Sequence, residues 1–197
     1  MRGGGDEPTG RAIVVIRHGS GALRLRLWPG ALTQLRRLLD QHSFWGQGRS
    51  ASQLRRMLAA SQAAVSLWDG RRLVGFGRAS SDQVFRAVLW DVVVAESHRS
   101  QGLGRRVVEE LLRCSAVRAV ERVYLMTTNS EGFYRHLGFD ASHRQHLLVW
   151  HPSRQRARAG RESSGSAAAA ATDASPSPTG SASPSAFSPV DPEPPRS

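Results

Sequence analysis

The amino-acid sequence predicts an α+β fold in which a sheet is flanked by helices. Three observations predict it. Strand-like and helix-like segments are interspersed along the chain, two strand-like segments meet at a tight turn, and a long apolar strand runs almost directly into an amphipathic helix. The predicted order of elements is β-α-α-β-β-β-α-β-α-β.

The first strand has two candidates. Residues 12–17 (AIVVIR) are rich in β-branched side chains, and residues 22–28 (ALRLRLW) alternate apolar and charged residues with the period of a half-buried strand. Pro29 suits a first helical turn, and residues 31–40 follow with helical spacing. Ser50 is a suitable cap for the second helix.

The middle of the chain begins with a hairpin. The segment AAVSLW, a turn at Asp69-Gly70 and the segment RLVGFGRAS predict two paired strands. Residues 84–94 then form a strand whose continuous apolar end is typical of burial on both faces. Residues 103–117 have the apolar spacing of an amphipathic helix. The remaining predicted elements are a strand at RVYLMT, a short helix at EGFYRHL and a last strand at 146–150 (HLLVW).

Composition restricts the class of protein. The chain has 197 residues and a net charge of +11, all 27 basic residues are arginine, and its single cysteine cannot form an intrachain disulfide. No stretch approaches the roughly 18 apolar residues of a membrane span, and the start has no apolar signal core. We therefore expect a cytoplasmic protein without a membrane partner. The positive charge favours anionic ligands, but the arginines are scattered, so we do not expect a nucleic-acid partner.

The apolar periodicity predicts one domain over residues 11–151. Residues 1–10 and 152–197 are predicted to be disordered. The second of these segments is arginine-rich at first and then rich in alanine, serine and proline, so it has too few large apolar side chains to offset its ordering entropy.

The most informative segment covers residues 91–112. A strand ends there, a loop with two glycines follows, and a helix begins directly, so that its exposed amides and positive dipole end form a site for a diphosphate. Gly102 and Gly104 allow the backbone to approach closely, while Arg99 and Arg105 add positive charge. The pattern is neither the dinucleotide-binding nor the P-loop fingerprint.

The spacing Arg99-x-x-Gly102-x-Gly104 resembles the coenzyme A signature of GNAT acetyltransferases. A second motif of the same family follows, in which Tyr134 precedes Gly138-Phe139 on a short helix. The resemblance extends over about residues 30–150. It implies a mostly antiparallel mixed sheet, splayed between its fourth and fifth strands, and acetyl-CoA as acetyl donor without a metal.

Four segments resemble the cyanobacterial and plant-plastid branch of this family. They are FWGQGRS, SLWDGRRLVGFGRASSD, LWDVVV and RVYLMTT. Members of that branch acetylate protein lysines and N-termini, and several are assigned as serotonin or arylalkylamine N-acetyltransferases. The resemblance therefore implies an amine acceptor, either a small molecule or a protein, and a monomer or homodimer.

The resemblance also implies which residues bind the coenzyme. The strand end pairs with the pantetheine arm through its backbone and supports the oxyanion, and the loop binds the pyrophosphate. Asn129 matches a position that often bonds the coenzyme, although it could equally be a cap or turn residue. The set is Val92, Val93, Val94, Arg99, Ser100, Gln101, Gly102, Leu103, Gly104, Arg105 and Asn129.

Tyr134 is the predicted general acid, because the matching hydroxyl of the family lies near the sulfur and a phenol is protonated at neutral pH. The base is open: Asp91 lies in the right strand but could order a loop, and Glu131 or His136 could be solvated. Phe44 and Trp45 are predicted to line an acceptor pocket, or else to form a small core plug.

The remaining cysteine and histidine residues give little evidence about function. Cys114 is predicted to pack in its helix, and His143, His146 and His151 have no spacing typical of a metal site, so no metal is expected. Two rival hypotheses remain: a non-catalytic acyl-CoA-binding module, or a nucleic-acid-binding protein.

Overall fold

The computed structural model describes residues 12–142 and 146–150. The chain divides into two compact units, Met1–Ala141 and Ser142–Ser197, and every described helix and strand belongs to the first. The predictions for residues 1–10 and 152–197, and those for His143 and His151, lie outside the described residues. In the described ranges, no helix is both long enough and apolar enough to cross a bilayer.

Five strands form one mixed sheet in the order β1-β2-β3-β4-β5. The first four are antiparallel to their neighbours, and β5 runs parallel to β4. The predicted α+β class, with its mostly antiparallel mixed sheet, is thereby confirmed. The strands are β1 (Val14–His18), β2 (Ala63–Asp69), β3 (Arg72–Ser81), β4 (Arg86–Val94) and β5 (Arg122–Tyr124).

Helices flank this sheet. The α2 helix packs against β3 and β4, and α4 packs against β2, β3 and β4 with a stripe of buried residues that includes Leu103, Val107 and Leu111. These contacts enclose the core. The helices are α1 (Leu23–Leu27), α2 (Ala31–His42), α3 (Ala51–Ala59), α4 (Leu103–Leu112), α5 (Ser115–Arg118) and α6 (Glu131–Arg135).

Local signals explain two junctions. The Ser50 hydroxyl accepts from the Gln53 amide while the Gln53 side chain accepts from the Ser50 amide, which is the reciprocal capping box of a helix start. The turn between β2 and β3 contains Gly70 at φ +56°, a conformation that glycine adopts without strain. Both junctions lie where the sequence predicts them.

The prediction that residues 22–28 could form a strand is wrong, because residues 23–27 form α1. Five residues of alternating Leu and Arg do not distinguish a strand from one helical turn. Leu23 and Leu27 are four apart and share the outer face of that turn, at 59% and 70% exposure, while Leu25 lies between them and is buried. The first strand is instead β1, which pairs with β2.

The predicted helix over 103–117 ends at Leu112, and a separate turn, α5, follows. The apolar repeat of Leu103, Val107 and Leu111 would next reach Ser115, which is exposed. The helical conformation is interrupted at Cys114, whose ψ of 140° is extended. The backbone changes direction there, and Ala116 and Val117 become buried in the core. Burial of two apolar residues thus decides the break.

The prediction of a strand over 146–150 is also wrong, because these residues form no strand. All five are exposed, and Leu148 is 89% exposed. Their composition favours a strand, but strand formation requires a partner for the backbone, and in the described part of the chain β5 pairs with β4 alone.

The sheet is splayed between β4 and β5, as predicted. The two strands pair only over three positions, from Arg86↔Arg122 to Val88↔Tyr124. Strand β5 ends there, whereas β4 continues to Val94. From Leu89 onward, therefore, one edge of β4 faces no strand among the described residues.

Candidate active site

The glycine-rich loop (residues 99–104) connects β4 to α4. A single 3-10 turn follows the strand, then the backbone takes positive φ at Ser100 (+60°) and again at Gly102 (+73°), which is the N-cap of α4. No side chain of the described residues caps this helix. The amides of its first turn are therefore available to an anion, as the sequence predicts.

The two glycines of this loop differ in backbone conformation and in what surrounds them. A Cβ at Gly102 would meet nothing within 4 Å, so its positive φ is what favours glycine. A Cβ at Gly104 would lie 3.4 Å from Cζ of Phe133, which is an ordinary van der Waals contact, so α6 lies against the first turn of α4 at this point. The loop and α6 are thus fitted to each other.

The other loop residues divide by exposure. Arg99, Ser100 and Gln101 are exposed and can reach a ligand, whereas the Leu103 side chain is buried in the core and offers only its amide. Arg105 is paired with Glu109 one turn further on, with 2.7 Å between Nε and Oε1.

A cleft of about 390 Å³ opens where β4 and β5 diverge. Residues from four separate segments of the chain that were predicted to belong to the site line this cleft: Phe44, Trp45, Asp91, Val92, Asn129 and Tyr134. The Val93 side chain belongs instead to the core, and Val94 approaches the α4 start. At these two positions the backbone edge of β4, rather than the side chain, faces the splay.

A β-bulge shapes the floor of the cleft. Phe76 pairs with Val93 and Arg78 pairs with Trp90, so that Gly77 alone opposes the two residues Asp91 and Val92. Asp91 has a positive φ of +55°. Because a bulge leaves its extra residue out of the ladder, a backbone group of β4 is free to turn toward the cleft.

Asp91 is held by two arginines that the sequence did not identify. Its Oδ1 accepts from Nη1 of Arg49 at 3.1 Å, and its Oδ2 accepts from Nε of Arg78 at 2.5 Å. The Asp91 side chain is only 5% exposed. Asp91 lies in β4 as predicted and lines the cleft, but both of its oxygens are engaged, which does not favour its predicted role as a base.

Tyr134 lies on α6 with its ring between two phenylalanines. The ring centroid is 4.9 Å from Phe133 and 5.9 Å from Phe139, in edge-to-face contacts. Burial raises the pKa of the Tyr134 phenol above its ordinary value. The hydroxyl is thus protonated at neutral pH, at the cleft, as an acid must be.

The other two candidate bases lie outside the cleft lining. Glu131 is paired with Arg135, and Nδ1 of His136 lies 2.6 Å from the carbonyl oxygen of Gly132. Both side chains are exposed and engaged within α6. Asn129 does line the cleft and is exposed.

Two aromatic side chains form the outer wall of the cleft. Phe44 is 73% exposed and Trp45 is 41% exposed, so the prediction of a core plug does not describe them. The guanidinium of Arg49 lies 5.7 Å from the Trp45 ring centroid. Exposed aromatic surface beside a cleft is typical of ligand contact.

Two other features are separate from this cleft. A larger depression of about 560 Å³ is lined by Arg37, Arg71 and Arg72, but does not include Tyr134. Cys114 donates to the Glu110 carbonyl at 3.3 Å, and burial raises the pKa of its thiol, so it is a packing residue as predicted.

Known proteins resemble this chain in sequence and in fold. Residues 32–139 match the model of the Acetyltransferase (GNAT) family. A histone acetyltransferase of Glycine max is 40% identical over 72 residues, which are 36% of this chain and 31% of that protein. The chloroplastic serotonin N-acetyltransferase 2 of Oryza sativa subsp. japonica is 42% identical over 97 residues, 46% of this chain and 48% of that protein.

The fold is also similar to solved structures. An aminoglycoside N-acetyltransferase in complex with CoA superimposes with a TM-score of 0.56 at 15% identity, over 74% of this chain and 97% of that chain. At this identity the likeness concerns the fold alone. This chain spans less than half the length of either curated relative.

Proposed function

Since this chain belongs to the GNAT family of acetyltransferases, we propose that it transfers an acetyl group from acetyl-CoA to a primary amine. The observation that carries the proposal is the continuity of the site. The free edge of β4 leads from Tyr134 and the cleft to the uncapped start of α4.

The residues present fit acetyl-CoA. The open edge of β4 over Val92–Val94 offers backbone donors and acceptors to the amide groups of a pantetheine arm, as an added strand would. The first turn of α4, with Gly102 and Arg99, would hold the pyrophosphate. Phe133 of α6, the neighbour of Tyr134, lies against Gly104 in that turn.

When bound, acetyl-CoA supplies an activated acyl group and a thiolate leaving group. The chain's own residues would orient it and move protons. Tyr134 would donate its phenolic proton to the departing sulfur, and a backbone amide at the bulge would donate to the acyl oxygen as negative charge develops there. Attack by the amine is direct, within a ternary complex.

The described cleft lining has three ionisable side chains, Arg49, Asp91 and Tyr134. Asp91 is paired with both Arg49 and Arg78, and Tyr134 has the role of the acid. We therefore propose that the amine itself must arrive deprotonated or lose its proton to water, so that turnover increases with pH toward the pKa of the amine, about 10 for an alkylamine.

We propose an arylalkylamine, such as serotonin or tryptamine, as the acceptor. The exposed rings of Phe44 and Trp45 can stack on an indole, because aromatic pairs favour offset and edge-to-face contact. The rice relative named for serotonin supports this choice. A protein lysine or N-terminus is the second candidate, and the soybean relative named as a histone acetyltransferase supports it.

The first experiment measures melting temperature with and without acetyl-CoA, followed by thiol release against serotonin, tryptamine, a lysine peptide and an N-terminal peptide. At about 100 times its Kd, acetyl-CoA should stabilise the protein by about 2.7 kcal/mol. The amine with the highest kcat/KM identifies the acceptor. Stabilisation without thiol release would support the non-catalytic module, and the absence of both would contradict the coenzyme assignment.

A further inference from the structure

The carboxylate of Asp91 joins two parts of the fold that are distant in sequence. Arg78 belongs to β3, beside the bulge, whereas Arg49 ends the connection between α2 and α3. We call residues 43–50 of this connection the acceptor segment, because it carries Phe44 and Trp45. One buried carboxylate is thus shared by the floor of the cleft and its outer wall.

Arg49 extends this link to the aromatic wall. Its guanidinium lies over the Trp45 ring, and its Nη1 is also 3.5 Å from Sδ of Met57 on α3. Arg49 thus contacts an aromatic ring and a carboxylate at once, and a guanidinium binds both of these groups favourably. The contacts therefore run in series from Trp45 through Arg49 to Asp91.

The backbone of Asp91 has a conformation that is uncommon for residues other than glycine. A positive φ is unfavourable for an L-residue, although Asp and Asn adopt it more readily than most. The two guanidinium groups satisfy a carboxylate that would otherwise be buried and unpaired. They therefore hold the Asp91 side chain in place between the floor of the cleft and its outer wall.

We propose that Asp91 is a positioning residue, which latches the acceptor segment to the bulge of β4 and so fixes the aromatic wall over the cleft. The proposal rests on the proposed function in assigning this wall to the amine. It replaces the role of Asp91 as a base, because each carboxylate oxygen already accepts a hydrogen bond from a guanidinium and the side chain is only 5% exposed.

The kinetic test compares Asp91→Asn and Arg49→Gln with the wild type. Asparagine tolerates a positive φ, so Asp91→Asn removes the charge and retains the backbone. In each variant the KM for the amine should rise about tenfold, the loss expected for a bond to a charged group, with kcat within about threefold and acetyl-CoA affinity within about twofold. Because the two residues act as one latch, the double variant should be no worse than the more impaired single variant.

Two further variants make this test specific. Arg49→Lys keeps the charge without the planar fork, and should restore part of the KM. Arg113→Gln removes an ion pair with Glu110 on the surface of α4, away from the cleft, and should match the wild type. Two results together would contradict the proposed latch. Asp91→Asn would reduce kcat about a hundredfold and its pH profile would lack an ionisation, and Arg49→Gln would keep the wild-type KM for the amine.

A measurement without catalysis separates this proposal from the proposed function. Amide hydrogen exchange of residues 43–50, followed by mass spectrometry, should be about tenfold faster in Asp91→Asn and Arg49→Gln than in the wild type or Arg113→Gln. Unchanged exchange would overturn the latch whatever the activity. Failure of the wild type to release thiol with any amine would instead overturn the proposed function and leave the exchange result standing.

Discussion

At the scale of the residue, Tyr134 combines burial with position. Its ring is held between Phe133 and Phe139, and burial raises the pKa of its phenol, so the proton is retained through neutral pH and above. A group with a raised pKa loses its proton only as the pH rises past that value. An acid in this setting stays functional over the whole range in which the amine becomes a nucleophile.

We expect Tyr134→Phe to reduce kcat about a hundredfold, the common contribution of a positioned acid, with little change in acetyl-CoA affinity. In the wild type, kcat should increase with pH and fall only above the ordinary tyrosine pKa, about 10. The variant should lack that fall. Phe133→Leu, which changes a neighbouring ring and no hydroxyl, is the control. Wild-type turnover in Tyr134→Phe would remove the phenol from the mechanism.

The sequence identifies single residues only where a motif fixes their neighbours. Gly102, Gly104 and Tyr134 lie in short local patterns, and the structure places Gly104 next to Phe133, the neighbour of Tyr134. Arg49 and Arg78 were not identified, because their role depends on a contact across 42 and 13 residues of chain, and the composition offers 27 arginines without a local signal. The positive φ of Asp91 likewise follows from strand register, which a single sequence does not specify.

At the scale of the element, the start of α4 can be tested against a matched helix start. Gly102 and Gly30 are both N-caps with φ near +75°, and a Cβ at either position meets nothing within 4 Å. Valine at either position should cost about 1–2 kcal/mol of stability, because the backbone strain is the same. The two variants should therefore differ only in what the helix start binds.

We expect Gly102→Val to lose acetyl-CoA binding by at least about tenfold in titration calorimetry, because its side chain would occupy the space where the backbone meets the diphosphate. Gly30→Val should bind acetyl-CoA as the wild type does. Equal affinity in the two variants would contradict the assignment of the glycine-rich loop.

Elements were predicted well where the pattern is long and capped. The α2 and α3 helices and the β2–β3 hairpin follow from helical spacing, from the capping box of Ser50 and from the turn at Gly70. The misassigned segments, 22–28 and 146–150, have five to seven residues, too few for periodicity to decide. The split of the helix over 103–117 depends on tertiary burial of Ala116 and Val117, which local propensity does not contain.

At the scale of the whole molecule, the order of elements from β1 to α6 could be predicted except for α1 and α5, whereas the predicted last strand does not form. The splay of the sheet could be predicted from the family resemblance and not from any physical signal in the strands. The limits of the predicted domain, 11–151, stay a prediction, as does disorder in residues 152–197. Composition is the argument for the latter, because a segment so poor in large apolar residues cannot offset its ordering entropy.

Removal of residues 163–197 should therefore leave kcat/KM within about twofold and the melting temperature within about 2 °C of the full chain. Thiol release and thermal unfolding measure the two quantities. As the control, a chain that ends at Thr128 lacks α6 and with it Tyr134, and should be inactive. A clear loss of kcat/KM or of melting temperature on removal of residues 163–197 would show that this segment contributes to catalysis or to stability.

The open edge of β4 has a consequence for how such proteins diverge. A ligand that is recognised by peptide groups makes no demand on the identity of the side chains that alternate above and below them. Under the proposed function, Val92, Val93 and Val94 can be exchanged for other apolar β-formers over evolutionary time with the recognition kept, whereas proline, which has no N–H to offer, is unsuitable at this edge. Descendants of one ancestor can in this way retain a shared coenzyme long after their sequences have ceased to look related.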